Sequence, residues 1–416
     1  MTVASLLAYI CLALLLQFAA GLGVWLWMRP RPAAALVAAP QADRAAGEQG
    51  AWKGWRDFRV ARRVFEDSGH TQCSFYLEPV DGVALPAFKP GQFLTFSLPL
   101  GEVAGTEAGN AGEVIRCYSL SGFPETRTYR ITVKRVLAPP DRKDLPPGRA
   151  SSHLHDHVHE GDILRLKAPA GHFCIDGETG IPAVLIGAGI GITPMMSMAA
   201  WCLAEQPGRP LHFYYGLRNG GEHAFRQQIE LLAGAHPQLH MNVVYSRPGP
   251  DDLPQRDFQH TGHIDIALLK RSLPHGRCQF YVCGPAPMMA SLVPALAEWG
   301  VPQADIHFEA FGPATVRLPG TPESLSSAVL EGPLDVRFTR TGRTLAWQGQ
   351  DRSLLDFAER QGVALESGCR SGGCGSCEVR LVSGKVRYDH RPDYDIAPGH
   401  CLLCVGIPDS ALVLEA

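Results

Sequence analysis

Four cysteines near the end of the chain have the spacing of a metal-cluster site. Cys369, Cys374 and Cys377 lie in ESGCRSGGCGSC, and Cys404 follows in CLLCV. A C-x4-C-x2-C run with a later fourth cysteine predicts a [2Fe-2S] cluster, which four thiolates hold. The glycines between them permit tight turns and close backbone approach. Structural zinc sites use paired C-x2-C or Cys/His knuckles instead. Cys401 competes as the fourth ligand, but we prefer Cys404 and expect Cys401 to pack in the core.

A second group of residues suits a flavin. Arg116, Tyr118 and Ser119 form R-x-Y-S within the strand-like segment IRCYSLSG. They supply a cation for a phosphate, a ring for the flavin face and a hydroxyl near its reactive edge. Gly148 and Ser151 lie in GRASSHL, where a helix that begins at the glycine can present N–H groups to a pyrophosphate. Each motif is weak alone, and their order along the chain favours flavin binding.

A glycine-rich turn comes next, in AVLIGAGIGITPMMSM. The pattern predicts a buried strand, a turn with Gly187, Gly189 and Gly191, and a helix with Thr193 as N-cap before a proline. Such a turn suits a dinucleotide. Ile192 stands where G-x-G-x-x-G has its third glycine, which disfavours an ordinary Rossmann dehydrogenase. A strand-to-helix turn without a ligand is the alternative.

Another strand end carries polar and turn residues. The segment QFYVCGPAPMM places Cys283, Gly284 and Pro285 after a buried apolar run. In an open parallel sheet, ligands collect at the carboxyl ends of the strands. We therefore expect these three residues at the dinucleotide site.

Other residues have side chains that could bind a metal or a cofactor, but we expect most of them to be structural. A histidine repeat lies in SSHLHDHVHEGD, and a helix there would scatter its side chains, so we expect no metal site. Cysteines in apolar or strand-like runs are expected to pack in cores. They are Cys11, Cys73, Cys117, Cys174, Cys202 and Cys278. Lys134 and Arg135 either contact the flavin tail or end a solvated strand.

The elements that must hold these residues fall into three soluble domains. Short β-type runs in 55–176 predict an antiparallel β-barrel that binds the flavin. Apolar runs that alternate with helical segments in 180–313 predict a parallel α/β sheet that binds NAD(P). A segment rich in Pro, Gly and Ser, 314–333, predicts a linker, and 334–416 forms the [2Fe-2S] domain.

The beginning of the chain has the pattern of a membrane helix. Val3 to Met28 is a stretch of 26 residues without Asp, Glu, Lys or Arg, where a bilayer core needs roughly 20. Two tryptophans and then two arginines follow its apolar part, which predicts a cytoplasmic exit. A cleaved signal peptide is the alternative, but no positive n-region precedes the run. We expect residues 1–28 to anchor the chain in a bacterial-type inner membrane, as a single pass with cytoplasmic catalytic domains, and 29–54 to form a linker.

The composition excludes other classes of protein. The chain has 416 residues and a formal net charge of −3, which offers no field for a polyanion, so we expect no nucleic-acid partner. Its 12 cysteines are too sparse for a disulfide scaffold. A length of this size indicates two or three domains rather than one.

Taken in order, the motifs R-x-Y-S, GRASS, GAGIGITP, YVCGP and HFEAFGP resemble the ferredoxin-NADP(H) reductase superfamily, particularly the reductase half of flavohaemoglobins. This resemblance covers Trp55 to Pro313. The tail from Leu334 is similar to plant-type ferredoxins, with a β-grasp fold. The order flavin, nicotinamide and iron–sulfur resembles oxygenase reductases and the hybrid-cluster protein reductase. No globin precedes the flavin domain.

The resemblance implies roles for individual residues. Arg116 is implied near the flavin phosphates, Ser119 near N5, and Cys283 and Glu309 at the hydride-bearing ring of the nicotinamide. It also implies that Phe311 stacks on the flavin. FAD is favoured over FMN, and NADH over NADPH. Arg218 is suited to a 2′-phosphate, and Glu222 to a free ribose.

The predicted function follows from the electron count. Hydride carries two electrons and a [2Fe-2S] cluster takes one, so a flavin must lie between them. We expect electrons to pass from NAD(P)H to FAD, to [2Fe-2S] and to an external acceptor. An oxygenase, a cytochrome P450, a hybrid-cluster-type protein and a quinone are all candidates. A membrane diaphorase that reduces quinone or small oxidants directly, and a redox sensor without turnover, are the alternative functions.

Overall fold

The computed structural model describes residues 52, 54–100, 113–125, 127–138, 146–177, 180–311, 332–370, 372–388, 392 and 394–416. These residues belong to one compact unit, Asp43–Ala416. The predicted membrane run Val3–Met28 lies outside the described residues, as do nearly all of the predicted linkers 29–54 and 314–333. Across the described ranges, no helix is both long and apolar enough to cross a bilayer.

The first sheet is an antiparallel barrel of six strands. Its order is β4-β3-β6-β1-β2-β5, and a bridge from Leu120 to Ile131 joins the end of β4 to β5. Alternation builds the barrel: in β1, buried Phe58 and Val60 flank exposed Arg59. The predicted antiparallel barrel is confirmed. The strands are β1 Arg56–Phe65, β2 Gln72–Pro79, β3 Phe93–Pro99, β4 Glu113–Ser119, β5 Tyr129–Lys134 and β6 Ile163–Ala170, and helix α1, Arg149–His157, follows β5.

The second sheet is parallel and has helices on both faces. Its order is β10-β9-β8-β7-β11-β12, so the chain changes direction between β7 and β11. At such a switch point, a crevice opens at the carboxyl ends of the strands. The predicted parallel α/β sheet is confirmed. The strands are β7 Ala183–Ala188, β8 Leu211–Leu217, β9 Leu239–Tyr245, β10 His260–Thr261, β11 Gln279–Gly284 and β12 Ile306–Ala310; the helices are α2 Ile192–Glu205, α3 Arg226–Ala235, α4 Ile266–Ser272 and α5 Ala286–Glu298.

The start of α2 differs from the prediction. Thr193 is not the N-cap, because a 3-10 turn over Gly189–Gly191 leads directly into the helix and makes Gly191 the cap residue. Thr193 is buried within the first helical turn, and its hydroxyl donates to the carbonyl of Ile190 at 3.0 Å. No side chain caps this helix.

The third sheet is mixed and belongs to the end of the chain. Its order is β14-β13-β19-β15-β17, with β13 and β19 parallel at the centre, and β16 pairs with β18. Helix α6 packs on it through Leu354 and Phe357 and is capped by Ser353. This is a β-grasp arrangement. The elements are β13 Leu334–Phe338, β14 Arg343–Trp347, α6 Leu354–Arg360, β15 Glu378–Ser383, β16 Val386–Tyr388, β17 His400–Leu402, β18 Gly406–Pro408 and β19 Leu412–Leu414.

Candidate active site and cysteine centre

The three predicted catalytic residues meet where the barrel adjoins the parallel sheet. Cys283 and Glu309 lie side by side, because β11 and β12 pair in register at these positions. Ser119, the last residue of β4, donates from its hydroxyl to Oε2 of Glu309 at 3.5 Å. Residues from two domains therefore form one polar cluster.

The protein surroundings keep Cys283 neutral. Its side chain is fully buried. Loss of hydration raises the pKa of the thiol well above its ordinary value, and the nearby charge of Glu309 raises it further. The thiol is thus a packing and weak hydrogen-bonding group rather than a thiolate nucleophile.

The two glycine-containing turns pack against each other at the switch point. Gly187 lies opposite Cys283 in the ladder between β7 and β11. A Cβ added to Gly191 would lie 2.2 Å from the carbonyl oxygen of Cys283, so only glycine fits there. Gly189 has a φ of 53°, which glycine adopts without strain. The turns form one lining at the carboxyl edge of the sheet.

Two helices begin at this edge without a side-chain cap. They are α2, which follows Gly191, and α5, which follows Gly284 and Pro285. The N–H of Ile192 at the start of α2 already donates to the carbonyls of Gly189 and Ile190 in the preceding 3-10 turn. The first N–H groups of α5 have no partner within their helix, and such groups attract anions.

The R-x-Y-S strand divides its side chains between solvent and interior. Arg116 is exposed, and its guanidinium donates to the carbonyl of Ile115 at 2.7 Å. The ring of Tyr118 meets Phe96 edge-on, with centroids 5.4 Å apart. Burial raises the pKa of Tyr118, so its hydroxyl stays protonated. The cation and the aromatic ring are close to Ser119 on one strand, as flavin binding requires.

The GRASS segment does begin a helix. Gly148 is the N-cap of α1, and no side chain caps that helix. The hydroxyl of Ser151 donates to the carbonyl of Gly148 at 3.0 Å and accepts from the N–H of Val136 at 3.1 Å. Ser151 therefore holds the turn, while the first N–H groups of α1 suit a phosphate.

Phe311 follows β12 directly and is 43% exposed. It lies two residues after Glu309, so the polar group of Ser119, Cys283 and Glu309 and an accessible aromatic ring share one strand end. An exposed ring at this edge suits stacking on a planar cofactor.

The histidine repeat lies on α1 and at its end, and the side chains diverge. His155 is buried and bonds the carbonyl of Val133 at 2.9 Å, whereas His153 and His157 face each other one turn apart. Within the described ranges, no group of three or more His, Cys, Asp or Glu side chains is arranged around a single metal ion.

The four predicted cluster cysteines converge in the third domain. The N–H of Cys369 donates to Sγ of Cys374, and the N–H of Gly373 donates to Sγ of Cys369, both at 3.2 Å. The N–H of Cys404 donates to Sγ of Cys377 at 3.4 Å. The Cys404 thiol also lies within hydrogen-bonding reach of those of Cys369 and Cys377. These contacts link all four sulfurs.

The donor set fits a binuclear cluster. Each iron of a [2Fe-2S] cluster takes two thiolates, and backbone N–H groups aimed at sulfur stabilise their charge. A Cβ on Gly368 would lie 2.7 Å from Sγ of Cys374, so the loop leaves no room for a side chain there. Cys401 instead lies in β17, opposite Val379, and burial raises the pKa of its thiol to about 12.

Three contacts were not part of the sequence interpretation. The thiol of Cys117 lies within hydrogen-bonding reach of that of Cys374 in the loop of the cluster cysteines. The Nζ of Lys134 lies 2.5 Å from Oε2 of Glu222 in the parallel-sheet domain. Arg135 pairs with Asp156. All of these partners are distant in the sequence, so no local pattern could have revealed them.

Comparisons with known families match two of the three domains. The oxidoreductase NAD-binding domain family matches residues 185–293, and the 2Fe-2S iron–sulfur cluster binding domain family matches residues 336–409. A flavohemoprotein of Halalkalibacterium halodurans is 39% identical over 272 residues, 65% of this chain. The chain spans only 63% of that relative's length.

Solved structures extend the likeness to the whole described arrangement. The FAD/NAD-binding domain of nitric oxide dioxygenase from Vibrio cholerae is 35% identical, with a TM-score of 0.52, over 62% of this chain and 99% of that domain. Phthalate dioxygenase reductase, a modular structure for electron transfer from pyridine nucleotides to [2Fe-2S], is 27% identical. Its TM-score is 0.52, over 87% of this chain and 98% of that one.

Proposed function

The chain belongs to the ferredoxin-NADP(H) reductase superfamily and ends in a [2Fe-2S] domain, and from this we propose that it passes electrons from NADH through FAD and the cluster to a separate oxygenase-type protein. It is an NAD(P)H-dependent oxidoreductase. One observation carries the proposal: Ser119, Cys283 and Glu309 lie together in one polar group, and the strand that ends at Ser119 also contacts the loop of the four ligand cysteines through Cys117.

In this proposal, the polar cluster orients the nicotinamide. The two glycine turns and the uncapped start of α5 would bind the dinucleotide. Glu309 would hold the hydroxyl of Ser119 at the flavin site, and the neutral thiol of Cys283 would line the nicotinamide site without adding a charge. Bound FAD accepts hydride and releases electrons one at a time.

The flavin ligands that we propose are Arg116, Tyr118 and Ser119, with Gly148 and Ser151 at the pyrophosphate turn. Phe311, which directly follows β12, would supply an accessible aromatic ring. The cluster ligands that we propose are Cys369 with Cys374 and Cys377 with Cys404. Backbone N–H groups donate to the sulfurs of Cys369, Cys374 and Cys377, which supports this choice of ligands.

Two features support NADH over NADPH as the donor. Arg218 is the cation suited to a 2′-phosphate, and its guanidinium lies 3.1 Å from Oε1 of Glu222. The carboxylate of Glu222 already engages Lys134 as well. Arg218 is thus already paired within the protein, and Glu222 is the acidic residue suited to the hydroxyls of a free ribose.

We also propose that Val3–Met28 anchors the protein in a bacterial inner membrane, with the catalytic domains in the cytoplasm. The charge-free run and the arginines after it support this. The full chain should sediment with membranes and be released by detergent but not by salt. Deletion of residues 1–28 should make it soluble, and release of the full chain by salt alone would contradict the anchor.

The test of the function is one-electron output. NADH should support cytochrome c reduction by the purified protein, and Cys374→Ser should abolish it while flavin reduction continues. Cys401→Ser is the matched control and should keep both activities, because its thiol lies outside the linked sulfurs. Unchanged cytochrome c reduction in Cys374→Ser would overturn the proposed electron path.

An oxygenase component should accept electrons from the wild-type protein faster than quinone does. Faster reduction of quinone without any partner protein would favour a diaphorase. No turnover with any acceptor would favour a sensor.

A further inference from the structure

The loop that carries the cluster cysteines lies directly against the flavin strand β4. A Cβ on Gly368 would come within 3.1 Å of Cγ2 of Ile115. The same Cβ would lie 2.7 Å from Sγ of Cys374. One side-chain position further along the same face of β4, the thiol of Cys117 lies within hydrogen-bonding reach of that of Cys374. Two neighbouring residues on one face of the strand therefore meet the cluster loop.

A second side chain holds Cys117 in place. Thr95 lies opposite Cys117 in the ladder between β3 and β4, and its Oγ1 is 3.5 Å from Sγ of Cys117. Thr95 is only 2% exposed, so water offers its hydroxyl little competition. The hydroxyl can donate to the sulfur of Cys117 and leave the S–H of Cys117 directed at Cys374.

Binding of a cluster fixes the direction of the hydrogen bond between the two thiols. A cysteine that ligates iron does so as a thiolate and has no proton to donate. Cys117 is then the only possible donor of the pair. Sγ of Cys374 also accepts from the N–H of Cys369 at 3.2 Å and lies 3.4 Å from the hydroxyl oxygen of Ser376.

We propose that Cys117 is a positioning residue of the flavin domain that donates a hydrogen bond to the ligand sulfur of Cys374, and so raises the reduction potential of the cluster. This inference rests on the cluster ligands in the proposed function. A reduced cluster carries one more negative charge, so a donor to its sulfur stabilises the reduced state more than the oxidised state. The same contact links the strand of Tyr118 and Ser119 to the cluster.

The test measures the cluster itself rather than turnover. In the full-length holoprotein, Cys117→Ala should lower the equilibrium constant for cluster reduction about threefold, which is about 28 mV for a one-electron couple at 59 mV per decade. It should also shift the EPR spectrum of the reduced cluster. Cys117→Ser keeps a donor and should lie closer to the wild type. Cys73→Ala, in the same barrel, should match the wild type.

An unchanged potential and spectrum in Cys117→Ala would overturn the inference, as would an equal shift in Cys73→Ala. The titration uses dithionite and dyes, so it reports on Cys117 even if NADH fails to reduce the protein, which would count against the proposed function alone. Wild-type protein without iron and acid-labile sulfide would overturn both.

A second measurement needs no cluster. In the full-length apoprotein, the short thiol cross-linker dibromobimane should join Cys117 to Cys374, as peptide mass spectrometry would detect. Products that join Cys374 only to its neighbours in the loop, and none to Cys117, would contradict the contact.

Discussion

At the scale of single residues, the convergence of Ser119, Cys283 and Glu309 was predictable and the contact of Cys117 with Cys374 was not. Ser119, Cys283 and Glu309 lie in short motifs whose order along the chain carries information. Cys117 lies within the same R-x-Y-S motif, yet its partner belongs to another domain, and a cysteine in a strand is usually a packing residue. Cys117 has a different role only because the barrel and the iron–sulfur domain pack against each other.

Cys283 gives a prediction at this scale. Cys283→Ala leaves a void below the proposed nicotinamide position, so we expect flavin reduction by NADH to slow roughly 10- to 100-fold, as small errors of reactant position do. Anaerobic stopped-flow absorbance of the flavin measures this rate. Cys278→Ala is the control, since that thiol is also buried but lies just before β11, at its far end. Equal rates in all three proteins would remove Cys283 from the site.

At the scale of elements, alternation and turn residues predicted the barrel strands and the parallel sheet, because period-2 burial and apolar runs are local properties. The prediction that Thr193 caps α2 was wrong for a physical reason. The 3-10 turn over Gly189–Gly191 brings the backbone into helical geometry two residues before Thr193. That turn is dictated by contact with β11, which the local sequence does not contain.

Gly191 gives the prediction for this element. Gly191→Ala places a Cβ against the carbonyl of Cys283, so we expect a loss of about 1–3 kcal/mol in the free energy of unfolding and weaker NADH binding. Urea unfolding and NADH titration measure the two effects. Gly234→Ala, inside α3 with no atom within 4 Å of the added Cβ, should be neutral or stabilising. Equal free energies of unfolding for Gly191→Ala and Gly234→Ala would show that the turn accommodates a side chain, and would contradict the prediction.

At the scale of the whole molecule, the patterns of strand-like and helical segments distinguished the domains, but they did not reveal the contacts between the domains. The barrel and the parallel sheet are joined by Lys134 to Glu222 and by the N–H of Gly69 to the carbonyl of Gly221 at 2.9 Å. The barrel and the iron–sulfur domain meet at Cys117 and Cys374. Hydrophobic periodicity carries no record of such pairs, because they form only after each domain has folded.

These contacts place the barrel between the nicotinamide crevice and the cluster loop, so electron transfer should occur within one molecule. The most direct measurement is anaerobic stopped-flow mixing of the purified protein with NADH, followed at flavin and cluster wavelengths. We predict that flavin reduction comes first and that cluster bleaching follows at a rate independent of protein concentration. A cluster that stays oxidised, or bleaches at a rate proportional to protein concentration, would contradict the account.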